Sequence, residues 1–186
     1  MRRNIILLCT LMLLAGIFLT SCAVKYKTVL DARVVPTKKQ DKVYDTVTAL
    51  LMERGFDIKL ANKDIGAITT EYKKYGAIGG SPPFDLYLQI RVKITQVADK
   101  IEIILTPMDK EVNRVNAAAF TENPMIFFED TKEKSVGPQM VRARLPGFLL
   151  FTNVVQDVAT ALGTPIEQIK FNTEDNEVVV GLEKLL

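Results

Sequence analysis

A strict alternation of apolar and polar residues over positions 84–95 constrains the fold more than any other feature of this sequence. The apolar positions are Phe84, Leu86, Leu88, Ile90, Val92 and Ile94, and the polar positions are Asp85, Tyr87, Gln89, Arg91, Lys93 and Thr95. Because successive side chains of a strand point to opposite faces, this pattern predicts one long strand with a buried face and a solvated face. Such strands are typical of antiparallel sheets that are covered on one side only.

Shorter segments predict further strands at residues 29–35, 56–60, 65–72, 101–106 and, with weaker alternation, 111–118. Pro36 and Pro107 should end the strands that precede them, because proline has no N–H to donate to a ladder. Glycine and proline are concentrated at residues 76–83. That composition predicts a loop before the long strand.

The sequence also predicts two amphipathic helices, at residues 38–54 and 147–162. Their apolar residues recur at helical spacing: Val43, Val47, Leu50 and Leu51 in the first, and Leu150, Val154, Val158, Ala161 and Leu162 in the second. Thr37 and Gln40 have the spacing of a capping box, and Gly55 stands where a helix C-terminal cap is expected. The order of elements predicts an α+β two-layer sandwich, with one mostly antiparallel sheet and two helices packed on one face.

The chain after the second helix contains further local signals. Gly163 should end that helix, and Thr164 followed by Pro165 predicts another short helical turn. Residues 172–186 are either a tail or the last edge strand. The apolar run at residues 178–180 either completes the sheet edge or pairs with another protein.

The N-terminus has the pattern of a secretory signal. Arg2 and Arg3 precede an uncharged apolar run at residues 5–19, which is shorter than the roughly 20 residues that a membrane span needs. We therefore expect residues 1–21 to be removed. Residues 22–28 are then predicted as a tether, and residues 29–171 as a single α+β domain.

Leu19, Thr20, Ser21 and Cys22 resemble the lipobox of bacterial lipoproteins. The resemblance implies cleavage before Cys22, a diacylglyceryl group on its thiol and acylation of its new amine. Ala23, rather than Asp, follows Cys22. In a host with two membranes, this implies the inner leaflet of the outer membrane, facing the periplasm. The alternatives are an ordinary secretory signal and an uncleaved anchor that happens to end in Cys.

Composition limits the chemistry of the mature chain. Removal of the first 21 of 186 residues takes Arg2 and Arg3 from the 24 basic residues and leaves 22, equal to the number of acidic residues. This neutrality does not favour nucleic acid as a partner. The chain has no histidine, and its two cysteines are Cys9 and Cys22. We therefore expect a protein without enzymatic activity, cofactor or metal. Carboxylate pairs, Glu71 with Asp85 or Asp109 with Glu111, keep a glycan hydrolase as a further hypothesis.

Residues 43–72 resemble the repeated domain of the lipoprotein BamC, an accessory subunit of the outer-membrane β-barrel assembly machine. The pattern is a helix ending in Leu50, Leu51, Met52, Glu53, Arg54, Gly55 and Phe56, followed by Ile58, Asp64, Gly66, Ile68, Thr69, Thr70 and Glu71. The resemblance implies a helix that docks on a sheet and a strand opened by Gly66, with its threonines facing outward. BamC carries two such domains and a long N-terminal segment, whereas this chain has room for one domain. The resemblance therefore supports the fold and the compartment more than membership in that machine.

Two surfaces are candidates for binding. Phe120, Met125, Ile126, Phe127 and Phe128 form either a partner surface or a lid of the core, and residues 145–151 have the same two interpretations. Lys73, Lys74, Arg91 and Lys93 form either a basic patch for an acidic partner or a solvated face.

The sequence predicts a lipid-anchored envelope protein that binds another envelope protein or assists assembly. The alternative is a protein that binds a small ligand or an envelope glycan. Its cleft would lie between the sheet and the second helix and would include Arg91, Tyr87 or Tyr75.

Overall fold

A computed structural model of the chain describes residues 25–37, 42–129, 138–173 and 177–179, with side chains for 29–37, 42–123 and 144–172. Its helices are α1 (Val43–Glu53) and α2 (Pro138–Ala161), and a 3-10 turn follows at Ile166–Gln168. Its strands are β1 (Lys25–Val34), β2 (Ile58–Asn62), β3 (Ala67–Thr70), β4 (Lys73–Ile78), β5 (Phe84–Val97), β6 (Lys100–Asn113), β7 (Phe120–Glu129), β8 (Lys170–Thr173) and β9 (Glu177–Val179). Residues 1–24, which contain the predicted signal, Cys22 and Ala23, lie outside the described residues.

The described strands form one antiparallel sheet in the order β2-β3-β5-β6-β7-β1-β8-β9, and β4 also pairs with β5. Since β6 pairs with β5 along its whole length, β3 and β4 share the other edge of β5, at residues 91–93 and 84–88 respectively. Both helices pack on the same face of this sheet. The predicted α+β sandwich is therefore confirmed.

The alternation of β5 directs its apolar side chains into the core, where Leu86, Leu88 and Ile90 are fully buried. Helix α1 adds Val43, Val47 and Leu51, and α2 adds Phe148, Phe151, Val154, Val155, Val158 and Ala159. Each buried Val, Leu or Phe side chain contributes about 1.5–3 kcal/mol. The two predicted amphipathic faces thus meet over the sheet.

Gln89 is buried although it lies on the polar side of the β5 alternation. It sits at the break between β3 and β4, where its amide donates a hydrogen bond to the Thr70 carbonyl over 2.9 Å. The Ile90 N–H donates to the Thr70 hydroxyl oxygen over 3.0 Å. Thr70 lies on the same face of β3 as the buried Ile68 and is itself buried, so the prediction that both threonines of this strand face outward is wrong for it.

Several predicted boundaries move. β1 includes residues 25–28, which were predicted as tether, and β4 includes residues 76–78, which were predicted as loop. Of residues 111–118, only 111–113 belong to a strand. Residues 172–173 belong to β8, which pairs with β9, so this part of the C-terminal segment forms an edge of the sheet rather than a tail. Residues 180–186 lie outside the described residues.

Helix ends also differ from the predictions. Lys42 is the N-cap of α1, and the Thr37 hydroxyl donates to the Gly163 carbonyl over 2.6 Å instead of capping a helix. The Thr164 hydroxyl donates to the Val35 carbonyl over 3.2 Å, while Pro165 precedes the 3-10 turn. Both threonines therefore join the end of β1 to the end of α2. Their hydroxyl groups form hydrogen bonds between distant segments, although their local spacing predicted helix caps.

Helix α2 begins at Pro138, nine residues before the predicted start, and continues through Pro146. Proline inside a helix removes one backbone hydrogen bond, which is why the sequence favoured a start after it. Arg144, whose buried ion pairs are described below, and Gly147 hold this part of the helix against the sheet. A Cβ atom at Gly147 would lie 2.7 Å from the ring of Tyr75 on β4, so the helix approaches the sheet closely there.

β6 continues through Pro107, contrary to the prediction that this proline ends the strand. On the edge of β6 away from β5, pairing with β1 covers residues 103–105 and pairing with β7 covers residues 108–112. Pro107 lies between these two pairings. Proline has no N–H to donate, and here it lies where the pairing of β6 changes from β1 to β7, so it interrupts neither pairing.

The sheet forks at this point. β1 and β7 both run antiparallel to β6, yet residues 25–29 and 125–129 also pair antiparallel with each other. These two segments therefore turn away from β6 as a two-stranded ribbon, which we call the β1–β7 ribbon. A register shift between Val29 and Asp31 marks the bend in β1.

Candidate functional site

The sheet has an open face, which is the one opposite the two helices. Its centre is formed by β5, β6 and the first half of β7. The side chains of Tyr87, Thr106 and Met108 there are partly exposed, whereas their neighbours of opposite parity are buried. In the part of the chain that the structure describes, no helix covers this face.

Lys110 lies between two aromatic rings on the open face. Its ammonium nitrogen is 4.0 Å from the centroid of the Phe120 ring and 5.0 Å from that of Tyr72. Lys110 also stands opposite Glu122 in the β6–β7 ladder, with 3.9 Å between Nζ and a carboxylate oxygen. Cation–π contacts at exposed sites contribute about 0.5–1 kcal/mol each, so the two rings position the Lys110 ammonium group. Phe120 remains 52% exposed despite this contact.

The hydroxyl oxygen of Tyr72 is buried beside Glu122 and Arg91, and no hydrogen bond of normal geometry joins it to either side chain. Burial raises the pKa of Tyr72 to about 12, the nearby Glu122 carboxylate raises it further, and Arg91 acts in the opposite direction. Tyr72, Lys110, Phe120 and Glu122 are referred to below as the Lys110 cluster. A buried hydroxyl without a well-formed hydrogen bond is unfavourable by up to about 1–3 kcal/mol, and a group brought by a partner would relieve part of that cost.

The structure separates the four residues of the predicted basic patch. Lys74 stands opposite Tyr87 in the ladder and so shares the open face with Arg91 and Lys93, whereas Lys73 stands opposite the buried Leu88 and lies on the helix face. The different faces follow from the alternation of side chains along β4.

Lys73 contacts the end of α1. Its ammonium group donates a hydrogen bond to the Arg54 carbonyl over 2.6 Å and lies 5.2 Å from the centroid of the Phe56 ring. A cation at the C-terminus of a helix is favourable because the last carbonyls carry partial negative charge. Lys73 therefore stabilises the docked helix.

The open-face cations have partners of their own. Lys74 and Arg114 both bind Asp85, at 2.9 and 2.5 Å, and together they lower the pKa of Asp85. Lys93 donates to the Ile65 carbonyl over 2.7 Å, and Arg91 donates to the Gln89 amide oxygen over 3.0 Å.

The predicted apolar surface is divided between two places. Phe120 opens β7 on the open face, while residues 125–128 pair with residues 26–29 in the β1–β7 ribbon. The half-exposed Phe120 does not belong to the core. For Met125, Ile126, Phe127 and Phe128, the side chains lie outside the described part. In residues 145–151, Phe148 and Phe151 are core residues.

A buried ionic cluster joins α2 to the sheet on the opposite face. The Tyr75 hydroxyl donates to Asp109 Oδ1 over 2.8 Å, and Arg144 Nε donates to Asp109 Oδ2 over 3.0 Å. Arg144 also pairs with Glu111. Burial raises the pKa of Asp109, although Tyr75 and Arg144 act to lower it. Burial, followed by the Asp109 charge, raises the pKa of Tyr75.

This cluster bears on the hydrolase and ligand hypotheses. Asp109 and Glu111 are both bound by Arg144 beneath α2 instead of facing each other across an open cleft. Tyr75 lies with them, on the face of the sheet opposite Arg91 and Tyr87. Of the three residues named as alternatives for a cleft between the sheet and α2, Tyr75 alone lies between them, and its hydroxyl is bound to Asp109.

A groove of about 550 Å³ lies elsewhere, where the end of β1, the β5–β6 hairpin and the 3-10 turn meet. Its charged lining residues are Arg33, Lys100, Glu102, Glu167 and Lys170. Arg33 is paired with Glu102. The sequence did not predict this groove, because its walls come from three segments that are distant in the chain.

Comparison with known protein families and with curated protein sequences finds no match for this chain. Within residues 25–37, 42–129, 138–173 and 177–179, no helix is long and apolar enough to cross a membrane. The same described residues contain no group of three or more Asp, Glu, His or Cys side chains placed to hold a metal ion. The fold defines the protein as an α+β sandwich with one open sheet face.

Proposed function

We propose that this protein is a lipid-anchored envelope protein that acts without catalysis, as a protein-binding or assembly-accessory module in the periplasm. The basic, apolar and Cys-terminated N-terminus supports the anchor and the compartment. The resemblance of residues 43–72 to the BamC domain supports the same compartment. The open sheet face supports binding through protein contacts.

The observation that carries the proposal is the Lys110 cluster on that face. Phe120 is half exposed although it contacts a cation that two rings hold in place. Beside it, the buried Tyr72 hydroxyl lies next to Glu122 and Arg91 without a hydrogen bond of normal geometry to either. Aromatic residues with a polar group are enriched at the centres of protein interfaces, where a partner completes both the apolar contact and the hydrogen bonds.

Photo-crosslinking in the envelope tests this surface. A photoreactive phenylalanine analogue replaces Phe120 in one variant and Leu60 in a matched control, since both side chains are 52% exposed and Leu60 lies on the distant edge strand β2. We expect a discrete adduct from position 120 that is absent from position 60 and is lost when Lys110→Glu is added. Identical adducts from both positions, or none from position 120, would contradict the proposed surface.

The anchor has a separate test. Cys22→Ala removes the thiol that the lipobox resemblance implies is modified, so we expect loss of lipidation and accumulation of the uncleaved precursor. Mass spectrometry of the N-terminal peptide and fractionation of membranes measure both effects. If the variant were cleaved at the same bond and remained in the membrane fraction, the lipoprotein assignment would be wrong.

The 550 Å³ groove favours a second candidate function, the binding of a small ligand or an envelope glycan with acidic groups. Three cations, Arg33, Lys100 and Lys170, line it beside two carboxylates. Calorimetric titration with acidic saccharides tests this function. Lys100→Glu should weaken binding at least tenfold, whereas Lys59→Glu on the exposed strand β2 should not change it. Equal affinity of both variants would exclude the groove as the site.

A further inference from the structure

The linkage between Cys22 and the folded domain is very short. β1 begins at Lys25, only three residues after Cys22. Three residues extend at most about 11 Å, since an extended chain spans 3.3–3.6 Å per residue. A tether over residues 22–28 would have allowed about 25 Å on the same scale. The early start of β1 therefore determines how far the domain can move from the atom that carries the lipid.

The part of the domain closest to Cys22 along the chain is the β1–β7 ribbon. Lys25 stands opposite Glu129 at its outer end, and Val29 stands opposite Met125 where it joins the sheet. Because the ribbon turns away from β6, it is the end of the ribbon, rather than an edge of the main sheet, that continues toward Cys22.

The far edge of the sheet is much more distant. β2 is separated from β1 by β3, β5 and β6, which corresponds to four strand spacings. Strands are about 4.8 Å apart, so the distance is about 19 Å. A label in the β2–β3 turn therefore provides an internal reference for a label in the ribbon.

We propose that the β1–β7 ribbon rests at the surface of the bilayer that holds Cys22, so that the domain sits directly on the membrane. This inference rests on the proposed lipidation of Cys22. The occupant of the ribbon surface is the lipid surface itself, because the three-residue linkage leaves no room for another protein domain between them. The ribbon sequence includes Tyr26 and Lys27 in β1 and Phe127 and Phe128 in β7, which are residue types that favour membrane interfaces.

Fluorescence quenching by lipids measures this placement. The lipidated protein is reconstituted into phosphatidylethanolamine–phosphatidylglycerol vesicles that contain lipids with a quencher in the headgroup region. A new cysteine carries the fluorophore, either at Lys27→Cys or at Asp64→Cys. Its label is unique, because Cys22 is the only other cysteine after processing and its thiol is blocked by the lipid. We expect quenching at position 27 to be at least threefold stronger than at position 64.

A spacer tests whether chain length is the cause. Ten Gly/Ser residues inserted after Ala23 add a root-mean-square length of about 17 Å. Quenching at position 27 should then fall at least twofold, while the lipid content of the protein stays the same. Retention of full quenching would overturn the argument from chain length, as would equal quenching at positions 27 and 64 without the spacer.

Mass spectrometry separates this inference from the proposed function. If Cys22 carries no lipid in the purified protein, the lipoprotein assignment fails. If Cys22 is lipidated but the ribbon label is not quenched, the assignment stands and the placement of the ribbon is wrong. Thermal unfolding of both labelled variants, compared with the unlabelled protein, confirms that the label at position 27 reports on a folded domain.

Discussion

Arg144 on α2 donates a hydrogen bond from Nε to Asp109 Oδ2 on β6 over 3.0 Å. The Arg144 side chain is only 7% exposed and that of Asp109 only 2%. Glu111, two residues further along β6, pairs with the same guanidinium. Tyr75 completes the arrangement from β4. One cation of the helix therefore satisfies two carboxylates that the sheet directs beneath it.

Arg144→Ala should destabilise the protein by about 3–5 kcal/mol, because it leaves the buried Asp109 and the largely buried Glu111 without their cation. The matched control is Arg54→Ala, which removes a pair with Asp157 whose side chains are 42% and 29% exposed. Exposed pairs contribute about 0–1 kcal/mol. Urea unfolding of both variants measures the difference, and similar losses for the two would show that the buried cluster is not a main attachment of α2.

Gly66→Ala should also destabilise the protein strongly. Gly66 has a φ of +63°, and a Cβ atom there would lie 2.2 Å from the Ile94 carbonyl oxygen. That oxygen belongs to the backbone of β5, which cannot move without disturbing the ladder, so we expect a loss of at least about 2 kcal/mol. Gly79→Ala is the control, since a Cβ there meets no atom within 4 Å. Thermal unfolding that shifts equally in both variants would contradict this reason.

Tyr72 should make the protein less stable at alkaline pH. Its pKa is about 12 in the folded state against 10.0 in the unfolded chain, so the folded state holds the proton more tightly. The contribution of this group is therefore complete below pH 10 and is lost as pH rises toward 12. Tyr72→Phe should reduce the fall in unfolding free energy between pH 9 and 11, measured in urea. An unchanged fall in the variant would show that Tyr72 is not responsible.

Lys110 and Phe120 should be coupled in stability. The 4.0 Å separation between Nζ and the ring centroid predicts a coupling free energy of about 0.5–1 kcal/mol at this partly exposed site. A double-mutant cycle with Lys110→Met and Phe120→Leu measures it from unfolding curves. A coupling indistinguishable from zero would show that the ring does not hold the cation. The single variants should each remain folded, because the Lys110 and Phe120 side chains are 22% and 52% exposed.

The sequence predicted the open-face residues Arg91, Lys93 and Lys74 but grouped Lys73 with them. The patterns of residues 65–72 and 76–83 predict a strand and a loop, and neither predicts a strand at positions 73 and 74. β4 fills that interval and sends the two lysines to opposite faces.

The sequence contains a signal for a cation at the position that Arg144 occupies. Asp109 and Glu111 continue the parity of the buried Ile103 and Leu105 along β6, which places two carboxylates on the core face and requires a cation nearby. The prediction that Pro107 ends the strand concealed this parity. Tyr72, Lys110 and Glu122 gave no comparable signal, because their association depends on the pairing of β6 with β7 and on the break between β3 and β4.

The sequence by itself determined the fold class and the amphipathic faces of α1 and α2, since these depend on periodicities of two and about 3.6 residues that are local to each segment. It also determined the expectation of a processed N-terminus at Cys22. Only the tertiary structure decided that β1 begins at Lys25, that β7 leaves β6 to pair with β1, and that α2 docks through Arg144. These depend on register between segments far apart in the chain, where packing of the whole core selects one pairing among several that local patterns allow.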